Sequence, residues 1–314
     1  MSRAPLRVGT RRSLMAMTQA GQVARMITSR TGLAAELTGV TTFGDVSQAE
    51  LAKIGGTGVF VNALRERLLT GEVDIAVHSL KDLPTAQPDG VVLAAVPARD
   101  DPRDALAARG GAKLADLPAG ARVGTGSPRR VGQLHALRRD LDCVPIRGNA
   151  DTRLARVISG GLDAVVLACA GLARIGRQDA VTQIFETDEM LPAPGQGALA
   201  VECRSDDAEL IRSLAVVDDP ASRAAIAAER SVLAALQAGC SAPVGAYAAG
   251  TQVLQLQAVV LAVDGSGAVR LSNSGPVAAA EQLGRELAAE LLARGAAAHI
   301  AVPGARSNSG EQAS

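Results

Sequence analysis

At 314 residues the chain exceeds what one hydrophobic core ordinarily supports, so two or three domains are expected. Its 32 Lys and Arg balance 32 Asp and Glu, and it has no Trp, one Tyr and three Phe; zero net charge and the lack of stacking rings argue against nucleic acid as a partner, so any basic function must be local. No run approaches the roughly 18 apolar residues of a membrane span and residues 1–6 hold no apolar signal region, so a cytoplasmic protein without a membrane partner is expected.

Residues 6–9 read as a strand, followed by the polar turn Thr10, Arg11, Arg12 and Ser13 and a helix with Leu14, Met17, Gly21, Ala24 and Ile27 on one side. Strand, polar turn, helix points backbone N–H groups at an anion, which would bring Arg11 and Ser13 to one ligand; a plain βα turn capped by Ser13 has the same pattern. Residues 44–60 (GDVSQAELAKIGGTGVF) mix charge with three glycines and read as a loop or lid carrying Lys53, although glycine clusters also mark simple connections. A helix over 61–69 stops before Gly71.

Residues 74–85 (DIAVHSLKDLPT) follow, and the rest of the chain is organised around them. A short buried strand delivers His78, Ser79, Lys81 and Asp82 to one loop that stops at Pro84. In open α/β sheets ligands sit beyond the carboxyl ends of the strands, which places Lys81 and Asp82 where chemistry is found. A surface turn with an ordinary Lys and Asp is the competing reading. Another strand runs over 91–96, and PARDDPRD (97–104), with two prolines and dense charge, marks a hinge into a second domain.

In that domain 122–124 form a strand, Ser127 is placed as an N-cap and Pro128 as the first helical residue. Arg129 and Arg130 then lie at the positive end of the helix dipole, which disfavours cations by about 0.3–1 kcal/mol each; a bound polyanion would remove the conflict, as would solvent screening. The pattern recurs: a strand over 142–146, Arg147, Gly148 and Asn149, then a helix capped by Asp151 or Thr152 with Arg153 in its first turn. A third strand over 163–168 exits at Cys169, Gly171, Leu172 and Arg174. Three successive strand exits thus present arginine, as a pocket for several carboxylates or phosphates would. RVGT occurs at 7–10 and again at 122–125, a short hint of two similar lobes.

Residues 191–203 (LPAPGQGALAVEC) read as the return crossing, with Gln196 facing the ligand. A helix over 221–237 is ended by Gly239 in the left-handed conformation, leaving Cys240 on the next loop, exposed and reactive or buried and inert. Strands over 253–263 and around 269–271, a turn at 264–267 and a helix over 277–294 make a small α+β domain before a polar tail. Cys143, Cys169, Cys203 and Cys240 lie far apart with no CxxC or nearby His pair, against a zinc site or disulfide framework, and no metal is expected.

Taken together and in order, VGTRRS, LAKIGGTGVF, DIAVHSLKDLPT, VGTGSPRR, IRGNADTRL, LPAPGQGALAVECR and AGCSAPVGAYA resemble the porphobilinogen deaminase (hydroxymethylbilane synthase) family over essentially the whole chain. The resemblance implies an α/β fold of two type II periplasmic-binding-protein-like lobes with a cleft between them, plus a small α+β C-terminal domain. The lobes would be residues 1–98 with 198–216, and 99–197; the third domain would be 217–314. It implies a monomeric transferase that condenses four porphobilinogen molecules onto a dipyrromethane cofactor held by Cys240 through a thioether. Asp82 matches the catalytic aspartate, with Lys81 beside it. Cofactor contacts would come from Lys81, Asp82, Thr125, Ser127, Arg129, Arg130, Arg147 and Gly148. Substrate contacts would come from Arg11, Ser13, Gln19, Lys53, Phe60, Arg147, Arg153, Ala168, Arg174 and Gln196. Thr57 stands where a Lys, and Gly126 where a Ser, is usual in the family. Two rival functions remain open on the residues alone: a non-catalytic dicarboxylate-binding protein, with Cys240 unmodified, and a cysteine-nucleophile acyltransferase, for which none of His78, His135 and His299 lies near Cys240 in sequence.

Overall fold

The computed structural model describes residues 4–40, 56–239 and 242–300, with backbone alone at 56–60. The chain opens with β1 (Leu6–Arg11), α1 (Leu14–Thr31), β2 (Ala35–Val40), α2 (Gly56–Leu69), β3 (Ile75–Ser79) and β4 (Val91–Ala95). It continues with β5 (Asp104–Ala108), β6 (Arg122–Gly124), α3 (Pro128–Leu137), β7 (Asp142–Val144), α4 (Ala150–Ile158), β8 (Ala164–Ala168), α5 (Cys169–Arg174) and β9 (Gln183–Ile184). It returns through β10 (Leu199–Arg204) and α6 (Ala208–Leu214), and ends with α7 (Pro220–Ala235), β11 (Val244–Ala249), β12 (Val253–Val260), β13 (Val269–Pro276), α8 (Ala280–Ala293) and α9 (Ala297–Ile300).

Three sheets result, ordered β2-β1-β3-β10-β4, β7-β6-β8-β5-β9 and β11-β12-β13. The first two share one topology. In each, the first strand pairs in parallel with the second and third, and a strand arriving from the other sheet, β10 or β5, wedges in antiparallel between the third and the fourth. Each lobe therefore owns a strand that the chain reaches only by crossing, and two crossings join them.

The RVGT echo has a structural meaning. Arg7 donates its backbone N–H to Asp74 Oδ2 at 2.8 Å, and Arg122 donates its own to Asp163 Oδ2 at 2.8 Å, so in both lobes an aspartate just before the third strand anchors the first. Gly9 and Gly124 then allow the next turn of chain to approach closely: an added Cβ would stand 2.9 Å from Val73 Cγ2 in one lobe and 2.6 Å from Leu162 Cδ1 in the other.

With so few aromatics, the cores are aliphatic. Val8, Ile27, Ile75 and Val201 pack the first sheet against α1, Leu106, Val123, Leu134 and Val166 line one face of the second, and α7 and α8 cover the third through Val232, Leu256 and Leu287. Burial of this kind contributes roughly 25 cal/mol per Å² of apolar surface and sets the architecture without ring stacking.

Several elements differ from the sequence expectation. Strands β2, β5, β9 and β11 were not expected; β5 (DALAA) lacks β-branched residues and falls where a hinge reads naturally, and it is made a strand by pairing with β8 and β9. His78 and Ser79 belong to β3, so the loop after it shrinks to a single 3-10 turn, Leu80–Asp82. The strand expected to run to Ile146 ends at Val144, and the helix after it is capped by Asn149, not Asp151 or Thr152, because the Asn149 side chain accepts from the Thr152 N–H at 2.8 Å. The left-handed residue after α7 is Gln237 (φ 50°), not Gly239.

Candidate active site

A cavity of about 800 Å³ opens between the first two sheets, at the strand ends the sequence pointed to. From the first lobe, β1 supplies Arg11 and α1 supplies Ser13 at its cap and Gln19; the end of β3 and its turn supply Ser79, Lys81 and Asp82. From the second, the β7–α4 connection supplies Arg147 and Gly148, α4 supplies Arg153, and the exit of β8 supplies Ala168 and Arg174.

Local bonds fix these groups. Ser13 Oγ accepts from the Ala16 N–H at 3.3 Å and so caps α1. Gln19 Nε2 donates to Ser79 Oγ at 2.8 Å, tying α1 to the end of β3. Gly148 adopts φ 103°, which turns the chain so that Arg153 Nε reaches the Gly148 carbonyl at 2.9 Å. Arg174 is held by the two connections between the sheets, donating Nε to Asp100 Oδ2 at 2.9 Å and Nη2 to the Gly197 carbonyl at 2.6 Å. Burial pushes the Arg153 and Arg174 pKa values down, and Arg130 adds to this at Arg153. Asp82 is exposed to the cavity. Lys81 is pushed down to about 8, first by burial and then by the charge of Arg130, with Asp82 and Asp104 acting against both.

Five of the expected residues lie behind the wall instead of in it. Arg129 and Arg130 are buried and converge on Asp104: Arg130 donates Nε and Nη2 to Oδ1 at 3.0 and 2.6 Å, and Arg129 Nη2 is 2.8 Å from Oδ2. Arg129 Nη1 also reaches the Leu191 carbonyl at 2.5 Å, and Arg130 Nη1 that of Val166 at 3.0 Å. The helix-dipole conflict read from the sequence is thus answered by an internal carboxylate, a partner neither solvent nor a bound polyanion supplies. Burial alone would push the Asp104 carboxyl up, but the two guanidiniums outweigh it and hold it well below the usual carboxylate range. Thr125 is buried and its Oγ1 accepts from the Ser127 N–H at 3.3 Å; Ser127 stands at the N-cap position of α3 without a side-chain capping bond. Gln196 is fully buried and bonds Lys81, Pro102 and Asp104. At Gly126 an added Cβ would stand 2.9 Å from the Ile146 carbonyl, so a larger residue would have to displace that strand exit. Lys53 and Cys240 lie outside the described residues, as does the side chain of Phe60.

The sequence reading missed Asp104, Glu202 and Arg65, and placed His78 on the loop instead of in the buried set it forms with the last two. Arg65 donates Nε and Nη2 to Glu202 at 3.0 and 2.7 Å, and His78 Nε2 lies 3.3 Å from Glu202 Oε2. The sequence signal at Glu202 was a charged residue embedded in an apolar strand; Asp104 closes the charged run 97–104 and carried no such signal. Burial raises the Glu202 pKa, but its bonds to His78 and Arg65 outweigh this and bring it to about 2.

Four arginines and a lysine facing one carboxylate suit a ligand with several carboxylates, and Arg147, exposed, has no ion-pair or hydrogen-bond partner among the described residues. No group of His, Cys, Asp and Glu suited to a metal occurs among the described residues. No helix there is long and apolar enough to cross a membrane.

Fold and site together define a two-lobed α/β protein with a cationic interlobe cleft and an appended third domain. The family described as "Porphobilinogen deaminase, dipyromethane cofactor binding domain" matches residues 6–212, and "Porphobilinogen deaminase, C-terminal domain" matches 224–293. The chain belongs to the porphobilinogen deaminase family. It is 60% identical over 298 residues to the porphobilinogen deaminase of Thermobifida fusca, covering 92% of this chain and 93% of that one, and 59% identical over 302 residues to porphobilinogen deaminase 1 of Streptomyces coelicolor, covering 92% and 95%. Among solved structures it resembles a putative methionine-binding lipoprotein of Bacillus subtilis at 12% identity, TM-score 0.43, over 68% of this chain and 89% of that one.

Proposed function

We propose that this chain is a hydroxymethylbilane-forming transferase of tetrapyrrole (haem) biosynthesis: it condenses four porphobilinogen molecules head to tail, releasing one ammonia per condensation, and frees the product by hydrolysis. The observation that carries this reading is the cavity itself, with Lys81 and Asp82 on one turn from the first lobe facing Arg147, Arg153 and Arg174 from the second. Porphobilinogen bears an acetate and a propionate, so each added ring brings two carboxylates, and guanidinium groups bind these in paired hydrogen bonds. Arg11, Arg147, Arg153 and Arg174 take that role, helped by Ser13, Gln19, Lys53, Phe60 and Ala168.

A dipyrromethane held through Cys240 would supply the nucleophilic pyrrole carbon on which the chain is started. The cavity suits such a group, because its own four carboxylates meet a wall that is cationic apart from Asp82. Asp82 faces the pyrrole N–H groups, stabilises the positive charge that develops when ammonia leaves, and takes the proton lost as each new carbon–carbon bond forms. Lys81 binds carboxylate next to it. Thr125, Ser127, Arg129, Arg130 and Gln196 support from behind, and Gly148 lets the backbone approach. The domain limits that go with this reading are 1–98 with 198–216, 99–197 and 217–314, in a cytoplasmic monomer.

Intact-protein mass spectrometry of the parent and Cys240→Ala, with an aldehyde colour reagent for pyrroles, tests it. A dipyrromethane mass on the parent, absent from the variant, is expected. A bare parent that porphobilinogen also fails to load would overturn the reading and leave a dicarboxylate-binding protein.

A further inference from the structure

Behind the cavity wall a chain of hydrogen bonds runs from Lys81 to Arg130, and an ion pair adds Arg129. Lys81 Nζ donates to Gln196 Oε1 at 3.3 Å, and Gln196 Nε2 donates to Asp104 Oδ1 at 2.9 Å and to the Pro102 carbonyl at 2.7 Å. Asp104, 0% exposed, takes Arg130 on Oδ1 and Arg129 on Oδ2. Each member comes from a different part of the fold: the turn after β3, the return crossing, the start of β5 and the first turn of α3. Gln196 is held from both sides, so its amide cannot rotate without breaking a buried bond, and an unpaired buried polar group costs about 1–3 kcal/mol. Its carbonyl is therefore fixed toward Lys81.

We propose that Asp104 is the positioning residue for the Lys81 ammonium: through Gln196 it orients that ammonium into the cleft, and by offsetting the charges of Arg129 and Arg130 it lets the ammonium stay cationic beside them. This rests on the reading of the cleft as the porphobilinogen site and adds to it a residue that itself touches neither substrate nor cofactor.

The electrostatic balance makes the inference specific. Lys81 sits in a setting that favours loss of its proton: burial and the charges of Arg130 and Arg129 push it down to about 8, and Asp82 and Asp104 are the groups that oppose them. The cavity wall around it also carries Arg11 from β1, His78 from β3, Arg147 and Arg153 from the second lobe and Arg174 from α5, so no further carboxylate among the lining residues stands ready to replace Asp104. Without its charge, two buried guanidiniums would act on Lys81 opposed, among the protein's own groups, only by Asp82, and a bound cofactor's carboxylates are the same in parent and variant. At an effective dielectric near 20, losing one charge at such range moves a neighbouring pKa by about one unit. The ammonium would then stay cationic over a narrower pH range and hold a carboxylate less well.

The chain has three lysines, Lys53, Lys81 and Lys113, so each can be followed separately. Competitive acetylation of the purified holoenzyme across pH 6–11, read by peptide mass spectrometry, gives the titration midpoint of Lys81 without reference to activity. Asp104→Asn is expected to lower the Lys81 midpoint by about one pH unit and leave that of Lys113 where it is. Asp104→Asn risks folding, because it leaves two buried arginines opposed by no carboxylate, so Asp104→Asn/Arg130→Met serves as the second variant. It restores the net charge of the cluster and is expected to return the Lys81 midpoint to within about 0.3 unit of the parent. An unchanged Lys81 midpoint in a folded Asp104→Asn protein, or a midpoint in the double variant as low as in the single, overturns the proposal. If the single variant does not fold, a double-variant midpoint a full unit below the parent overturns it in the same way. A parent that titrates as expected but never turns over porphobilinogen would instead count against the function proposed above.

Discussion

The buried set under the first lobe gives the sharpest stability prediction. Glu202 on β10 is 2% exposed, accepts two hydrogen bonds from Arg65 on α2 and lies 3.3 Å from His78 Nε2 on β3, so it pins a helix and two strands together. Its carboxyl falls to about 2 from an ordinary 4.5. That gap, at about 1.36 kcal/mol per unit, amounts to about 3 kcal/mol of folding free energy. Because the folded-state value is the lower one, this contribution is fully present above pH 4.5 and is lost as pH falls toward 2. Breaking a buried ion pair by removing one partner costs about 3–5 kcal/mol by a separate route, and the two figures agree. Glu202→Gln keeps the shape and removes the charge, so it should cost about 3 kcal/mol at pH 7, which is about 6–12 °C in Tm for a unit of this size. Differential scanning calorimetry of parent and variant between pH 7 and pH 3 measures it, and the gap between them should narrow as the pH drops below 4.5. Arg65→Leu/Glu202→Leu should lose less than either single change, because no charge is then left buried alone. A Tm difference under about 2 °C at pH 7, or one that stays constant down to pH 3, would refute the reasoning.

Two further expectations concern the site and the thiols. Asp82 is exposed in the cleft, so Asp82→Asn should leave the melting curve in place while turnover of porphobilinogen falls by about 10²–10³, and a variant within tenfold of the parent would exclude the assigned role. Burial pushes the Cys169 thiol up to about 12 and those of Cys143 and Cys203 up to about 11, with nearby carboxylates adding to each. At pH 8 none of the three should be alkylated quickly in the native protein. With Cys240 occupied, iodoacetamide labelling mapped by peptide mass spectrometry should find rapid modification only after denaturation, and fast native labelling at any of the three would contradict it.

Much of the cleft was legible in the chain before folding. Apolar runs ending in chemistry-bearing residues identified β3 and β8, and the strand–turn–helix pattern located Arg11, Ser13, Arg147 and Arg153, because a strand that ends at a sheet edge must deliver the next few residues to that edge. Local signals also fixed Pro128 as the first residue of α3. Strands without a period-2 or β-branched signature escaped. Nothing in DALAA distinguishes a strand from a helix, and β5 exists because β8 and β9 offer it backbone partners.

What only the tertiary structure decided is which charges face the ligand and which face each other. Arg129 and Arg130 carry much the same sequence signal as Arg147 and Arg153, arginines that follow a strand at or near the start of a helix. Yet the first pair turns inward, because the crossing strand brings Asp104 beneath α3, while Arg147 and Arg153 meet no such carboxylate and line the cavity. Gln196, read from the sequence as ligand-facing on the return crossing, is the buried link between Lys81 and Asp104. The pairing of Asp104 with Arg130, 26 positions away, and with Gln196, 92 positions away, has no local sequence signature, since it depends on the long-range strand order that brings them together. The sequence by itself determined the cationic strand ends and the Lys81–Asp82 turn; the crossing topology determined which of those cations face the cavity and which are already paired with Asp104 inside.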